Sequence, residues 1–572
     1  MLEPQTYNKD MWGVGSALRV AALCSFIAAA VLQFRHRIYQ CDRSVMVQNT
    51  EYVFILFVTL ALLSLYAGLW KRWRLHRFLA VPGLIAIFAV LLFAGVYRFA
   101  MCQFGGWDEG LVVHAGTYYA QGLKPFIDFP CSMPPLFMAG ARAGVRLFGL
   151  KWSSFALVSA IFAALTSLWI FSLLRLAAMP RHWALAVTVC VEVSTMLLEP
   201  FWYYNNSSAV SAVLLILSAL ACLQCSRSLL PWISLSFSLA MVLTAKPNTL
   251  PICLVVLVLF ATKDKSQWAK TLAACAGSVG LAAWLCHAAQ MPPAAVLRAY
   301  AEIAQLRASP LKLYPFHQLM WPEAGFQAIF TVLTALCLTA LLVAFAKAKP
   351  VRGHILAICA ATTLTSLEMA GTNAELKPLD LSLMLVAAAF LCLPSREGVE
   401  VSAVRSNVFA GLLSVFLVMS VFFSVTHLRV LYVLAGESSD CLVGSTKVVP
   451  GGFFSGLEAG EHLQRVLAQS TKVLARYPEE RVFLGPRLEY AYPVFGKAAI
   501  SGMPLLWDVG NLYAPDQLPH YLRTFQHQQP DLLIFLRGDY GRMGPVSDYI
   551  RHSDAYRRID DFDGLTVYLR NK

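Results

Sequence analysis

Charge is what this chain lacks most. Only 14% of its 572 residues are Asp, Glu, Lys or Arg, against 58% hydrophobic. Soluble domains carry about 25% charged residues. The deficit, with repeated apolar runs long enough to cross a bilayer, excludes an ordinary soluble enzyme and indicates a polytopic membrane protein. There is no Gly-x-x-x-x-Gly-Lys-[Ser/Thr] loop, so nucleotide hydrolysis within this chain is not supported. There is no His-Glu-x-x-His. No chain of charges runs through several apolar segments as a proton or ion path would, Glu192 and Glu368 being the main acids inside them. The first apolar run, about 14–34, has neither a basic leading region nor a small-residue cleavage site and is expected to be a true span. Most of the 14 cysteines fall in apolar runs, where they behave as small hydrophobes. Cys41, Cys102, Cys131 and Cys441 do not, and they show no metal-ligand spacing. Cys102 and Cys131 share a loop and could pair in an oxidising compartment.

What is present is a series of about 13 expected spans. They lie near 14–34, 52–70, 78–101, 153–177, 183–199, 208–225, 229–245, 249–262, 268–288, 325–346, 354–370, 378–394 and 406–428. The densest basic links, 71–77, 263–265 and 347–352, fall on one side by counting spans. That side is expected to be cytoplasmic. Arg35, Arg37 and Arg43 run against this assignment and are outweighed. The net charge of +13 lies in the membrane part, where it suits lipid head groups rather than nucleic acid. From about 431 onward basic and acidic residues nearly balance and apolar density falls. Short β-type runs at 481–485, 531–536 and 565–570 alternate with amphipathic helical patterns near 455–476 and 519–528. The expected architecture is thus an N-terminal hairpin (1–77), a helical membrane core (78–430) with a large outer loop (102–152), and an extracytoplasmic α/β domain (431–572).

Candidate chemistry gathers on the outer side. Trp107-Asp108-Glu109-Gly110 follows an apolar run directly, and two carboxylates there suit general-base work, metal ligation or binding of a cationic group. Acids at a helix N-terminus would also be explained by the dipole alone. The same loop carries Tyr118, Tyr119, Asp128 and Pro134-Pro135. Basic residues on the outer face invite a phosphate, although such side chains also snorkel at helix ends. Lys246 sits between two apolar runs at a helix break before Pro247. Arg307, Lys312, Tyr314 and His317 follow the ninth span, and Asn373, Glu375 and Lys377 form the link after the eleventh. Trp202-Tyr203-Tyr204-Asn205-Asn206 reads either as an interfacial anchor or as a sugar-stacking surface.

The loop sequence Asp108-Glu109-Gly110, Tyr119-Ala-Gln-Gly122, Lys124-Pro-Phe-Ile-Asp128-Phe129 and Pro134-Pro135-Leu136 resembles the first outer loop of GT-C membrane glycosyltransferases. These include protein O-mannosyltransferases and the aminoarabinose transferase of lipid A. The resemblance implies transfer of a sugar from a polyprenyl-phosphate donor to a lipid, glycan or protein acceptor. Asp108 would act as base, Glu109 would help set the site, and Lys246, Arg307 and Lys377 would hold the donor phosphate. That scheme requires no cofactor and admits a divalent metal without needing one. A bacterial inner membrane, with the site facing the periplasm, is the expected location. Two features depart from the aminoarabinose enzyme: Ser132-Met133 stands where it has Glu-Lys before Pro-Pro, and two expected spans precede the loop-bearing one. A transporter or flippase of lipid-linked saccharide, and a glycan polymerase or ligase, are the alternative readings.

Overall fold

The computed structural model describes residues 80–307, 350–372, 386 and 447–571, with the exception of 102–103, 105, 107, 198–199, 263–264, 508–512, 514, 538–539, 560–561 and 563. The expected hairpin at 1–77 and the spans near 325–346, 378–394 and 406–428 lie outside these residues.

The apolar runs fold as helices close to their expected limits. They are α1 (Ala80–Ala100), α4 (Trp152–Leu176), α5 (Arg181–Glu192), α6 (Tyr204–Gln224), α7 (Leu230–Thr244), α8 (Val255–Phe260), α9 (Lys265–Ala288) and α11 (Pro350–Thr372). Between α1 and α4 stand α2 (Asp108–Ala120) and α3 (Pro135–Phe148), and α10 (Pro293–Arg307) follows α9. Three of these, α4, α6 and α9, are long and apolar enough to cross a membrane. Their 25, 21 and 24 residues correspond to about 31–38 Å at ~1.5 Å per residue. The run near 183–199 is an α-helix continued by a π-turn, Val193–Leu197. That near 249–262 begins as a 3-10 segment, Pro247–Leu254, before α8.

Helix α6 is the axis of the bundle, buried over 94% of its apolar window. Its small residues let neighbours approach closely, as membrane helix interfaces require. Ser218 Oγ lies 2.8 Å from Ser234 Oγ of α7, and Trp169 Nε1 of α4 donates to that same Ser234 hydroxyl at 2.6 Å.

The C-terminal residues form a four-stranded sheet from β3 (Val482–Leu484), β4 (Leu532–Leu536), β5 (Tyr556–Arg558) and β6 (Leu565–Arg570), in the order β3-β4-β6-β5. Strands β3 and β4 are parallel, joined by a crossover carrying α13 (Leu518–Gln528), and the other pairings are antiparallel. A small antiparallel pair, β1 (Lys447–Val448) and β2 (Glu458–Ala459), and helix α12 (Glu461–Arg476) precede β3, and α14 (Pro545–His552) stands between β4 and β5. Strands β3, β4 and β6 occupy the three runs read as β-type.

This sheet region docks onto α2 and the chain around it. Glu458 N donates to Met101 O at 2.9 Å, Trp152 N to Phe453 O at 3.1 Å and Gly502 N to Asp128 O at 2.8 Å. Arg98 pairs with Glu458. The phenol of Tyr118 reaches Ile500 O at 3.1 Å and Met503 O at 3.3 Å. One continuous apolar cluster therefore runs from α1 and α2 into Leu484, Tyr490 and Tyr492.

Candidate functional site

Two local breaks in regular structure create the site. Helix α7 ends at Thr244, and Ala245 and Lys246 are extended, because a residue before proline is driven out of the α region. The carbonyl of Lys246 is then taken up by Thr249, whose N–H and hydroxyl donate to it at 3.0 and 2.6 Å. Tyr300 of α10 donates its phenol to the Ala245 carbonyl at 2.5 Å. The break is thus held from both sides. At the start of α6, Tyr203 is the extended residue before the first turn. Trp202 beside it is buried, with its indole N–H donating to Phe137 O at 2.9 Å.

These breaks bring Lys246 onto the first turn of α6. Its ammonium donates to Asn205 Oδ1 at 2.8 Å and lies 5.3 Å from the Tyr204 ring centroid. The Tyr203 and Tyr204 rings are 4.3 Å apart. Tyr203 is hydrogen-bonded in turn to Asp108, the first residue of α2. Burial pushes the Tyr203 phenol above its ordinary range, and the Asp108 carboxylate adds to the effect. The phenol therefore remains a neutral donor to that carboxylate. The result is a continuous line of side chains, Asp108–Tyr203–Tyr204–Lys246, with an anion at one end and a cation, held by Asn205, at the other.

The two acids occupy different surroundings. Asp108 is partly exposed, whereas Glu109 is only 6% exposed. Both stand in the first turn of α2, where backbone N–H groups favour negative charge. The other end of α2 is tied to the residue just after α9 through Tyr119, whose phenol donates to Ala289 O at 2.5 Å. Arg142 of α3 donates to the neighbouring Ala288 O at 2.5 Å.

Of the residues singled out from sequence, Asp108, Glu109, Tyr203 and Lys246 meet around this line. Asp128 stands in a turn, where its carboxylate accepts the Lys124 N–H at 2.7 Å. Arg307 is the last residue of α10. Lys312, Tyr314, His317, Asn373, Glu375 and Lys377 lie outside the described residues. Cys131 is a free, buried thiol, and Cys102, its expected partner, lies outside the described residues. Burial pushes that thiol up to about 12. Among the described residues no group of three or more His, Cys, Asp or Glu side chains could hold a metal ion. Asn205 and Tyr204 had been noted only as part of an aromatic segment, and Tyr300 not at all.

No family model and no curated protein matches the chain. Among solved structures it is similar to ArnT from Cupriavidus metallidurans bound to undecaprenyl phosphate. That match has 14% identity and a TM-score of 0.44, over 86% of this chain and 98% of the other. It is also similar to the Archaeoglobus fulgidus oligosaccharyltransferase in complex with Zn and sulfate, at 13% identity and a TM-score of 0.37. That match covers 85% of this chain and 73% of the other. The archaeal oligosaccharyltransferase AglB from the same organism, in complex with an inhibitory peptide and a dolichol-phosphate, matches at 11% identity and a TM-score of 0.36. It covers 85% of this chain and 74% of the other.

Proposed function

We propose that the chain is a membrane glycosyltransferase that moves a sugar from a polyprenyl-phosphate donor to an acceptor on the extracytoplasmic face. The observation that carries this reading is the line from Asp108 through Tyr203 and Tyr204 to Lys246. It sets one carboxylate and one ammonium at the ends of an aromatic shelf.

Such a pair suits displacement of a phosphate leaving group. The acceptor hydroxyl oxygen bonds to the anomeric carbon while the bond from that carbon to the phosphate oxygen breaks. The bonding electrons leave with the phosphate, which Lys246 neutralises. The hydroxyl proton passes to Asp108, which Tyr203 holds in place by its hydrogen bond. The Tyr204 ring, partly exposed and backed by the buried Tyr203, offers an apolar face on which a sugar ring can rest. Lys246 suits this work because Asn205 and the Tyr204 ring orient its ammonium at the break before Pro247. Glu109, more deeply buried, supports the helix terminus that carries Asp108. The membrane core and the C-terminal sheet region act as one body in this scheme, the first admitting the lipid carrier and the second closing over α2.

The test is purified protein in a bilayer supplied with radiolabelled polyprenyl-phosphate sugar and candidate lipid, glycan and protein acceptors. Transfer of label to one acceptor class is the expected result. Movement of lipid-linked sugar across vesicles, with no transfer to any acceptor, would sink the enzyme reading in favour of a flippase.

A further inference from the structure

The C-terminal sheet region touches the acid-bearing helix at a point that matters more than its size suggests. After β3 the chain turns through Arg487, a non-glycine residue in the left-handed region at φ +67°, into a short 3-10 turn, Glu489–Ala491. Strain of this kind persists only where the surroundings fix it. At the tip of the turn is Tyr490, 3% exposed. Its ring stands edge-on to Phe104 at 5.0 Å. It also fills the space beside two glycines that flank the acid pair. A Cβ on Gly106 would lie 2.7 Å from Tyr490 Cε1, and Gly106 itself has φ +82°. A Cβ on Gly110 would lie 3.5 Å from Tyr490 Cδ1. The ring therefore sits against the backbone on either side of Asp108 and Glu109.

We infer that Tyr490 is a positioning residue for the acid pair: its ring, seated against Gly106 and Gly110, sets where Asp108 and Glu109 stand. The catalytic meaning of this rests on the glycosyltransferase reading above, and it makes the C-terminal region a component of the site. The role belongs to the ring. Burial, and then the nearby Glu489, push the phenol above its ordinary range, so it stays neutral at any working pH. Misplacement of a reacting group by about 1 Å can lower a rate by about 10²-fold.

The experiment compares wild type, Tyr490→Phe and Tyr490→Ala in the full chain in a bilayer. Three quantities are read: amide hydrogen exchange across residues 108–113, turnover of a polyprenyl-phosphate sugar, and binding of polyprenyl phosphate alone. Tyr490→Phe should match wild type in all three. Tyr490→Ala should exchange faster at 108–113 and lose about 10²-fold in kcat, with donor KM and polyprenyl phosphate binding unchanged. In an Asp108→Asn background the same substitution should have no further effect on turnover, because residues acting through one another are not additive. Unchanged exchange and kcat in Tyr490→Ala would overturn the inference. So would equal losses in Tyr490→Phe, or additive losses in the double variant. If Tyr490→Ala does not fold, Tyr490→Leu withdraws the ring from Gly106 and Gly110 with less volume lost, and a normal kcat with unchanged exchange in it overturns the inference equally. A wild type that transfers no sugar, while exchange still follows Tyr490 as stated, would instead refute the glycosyltransferase reading and leave the positioning role standing.

Discussion

The docking of the C-terminal region onto α2 should weaken in mild acid, and His114 is the reason. This side chain is 3% exposed, its Nδ1–H donates to Leu505 O at 2.9 Å, and its ring lies 4.4 Å from Tyr118 and 6.0 Å from Tyr492. Nε2 is buried with no hydrogen-bond partner among the described residues. Burial lowers the imidazole to about 4, with the Leu505 carbonyl pulling partly the other way. In the unfolded chain the group titrates near ~6.5. As pH falls through that value the unfolded state takes up a proton that the folded state refuses until about pH 4. Stability is therefore intact above the unfolded value and is lost across the window down to about 4. Between about pH 7.5 and about pH 5 the loss amounts to about 2 kcal/mol. The assay is denaturant unfolding of the full chain at those two pH values, for wild type and for His114→Gln. Glutamine keeps an N–H for Leu505 but cannot titrate. Its pH dependence should be flatter by that amount. Equal pH dependence in the two proteins would refute the assignment of the effect to His114.

Two further predictions concern the cationic end of the site. Lys246→Met should weaken polyprenyl phosphate binding by about 10–100-fold, the value of a hydrogen bond to a charged group, measured by calorimetry or ligand-induced fluorescence change. Tyr300→Phe removes only the hydroxyl that holds the Ala245 carbonyl beside Lys246. It should raise donor KM by about 5–10-fold while leaving kcat close to wild type, since the Asp108 end of the line is untouched.

Much of the site was legible in the chain because its chemistry is locally anomalous. Carboxylates at the end of an apolar run, and a lysine before proline between two apolar runs, stand out against a membrane background. The strands of the C-terminal sheet were legible for a related reason, since β-branched and aromatic residues cluster between polar turns. What could not be read was pairing across distance. The segment around Tyr203 reads first as an interfacial anchor and only second as a sugar shelf. In the fold, Trp202 is packed against α3, and Tyr203 is bonded to Asp108. Tyr300 and Tyr490 lie in ordinary amphipathic or turn sequence. Their partners, Ala245 and the Gly106–Gly110 backbone, are far away along the chain, and no local pattern marks them. Asp128 shows a contact that its place in the loop did not reveal: its carboxylate accepts the Lys124 N–H and so holds the turn of that loop.

The central claim is that Asp108 takes a proton during transfer while Lys246 holds the departing phosphate. The most direct measurement is single-turnover transfer from a polyprenyl-phosphate sugar by Asp108→Asn, with polyprenyl phosphate affinity determined on the same preparation. Transfer should fall by about 10²–10⁴-fold, with affinity for the lipid phosphate unchanged. Transfer at the wild-type rate by Asp108→Asn would contradict the account.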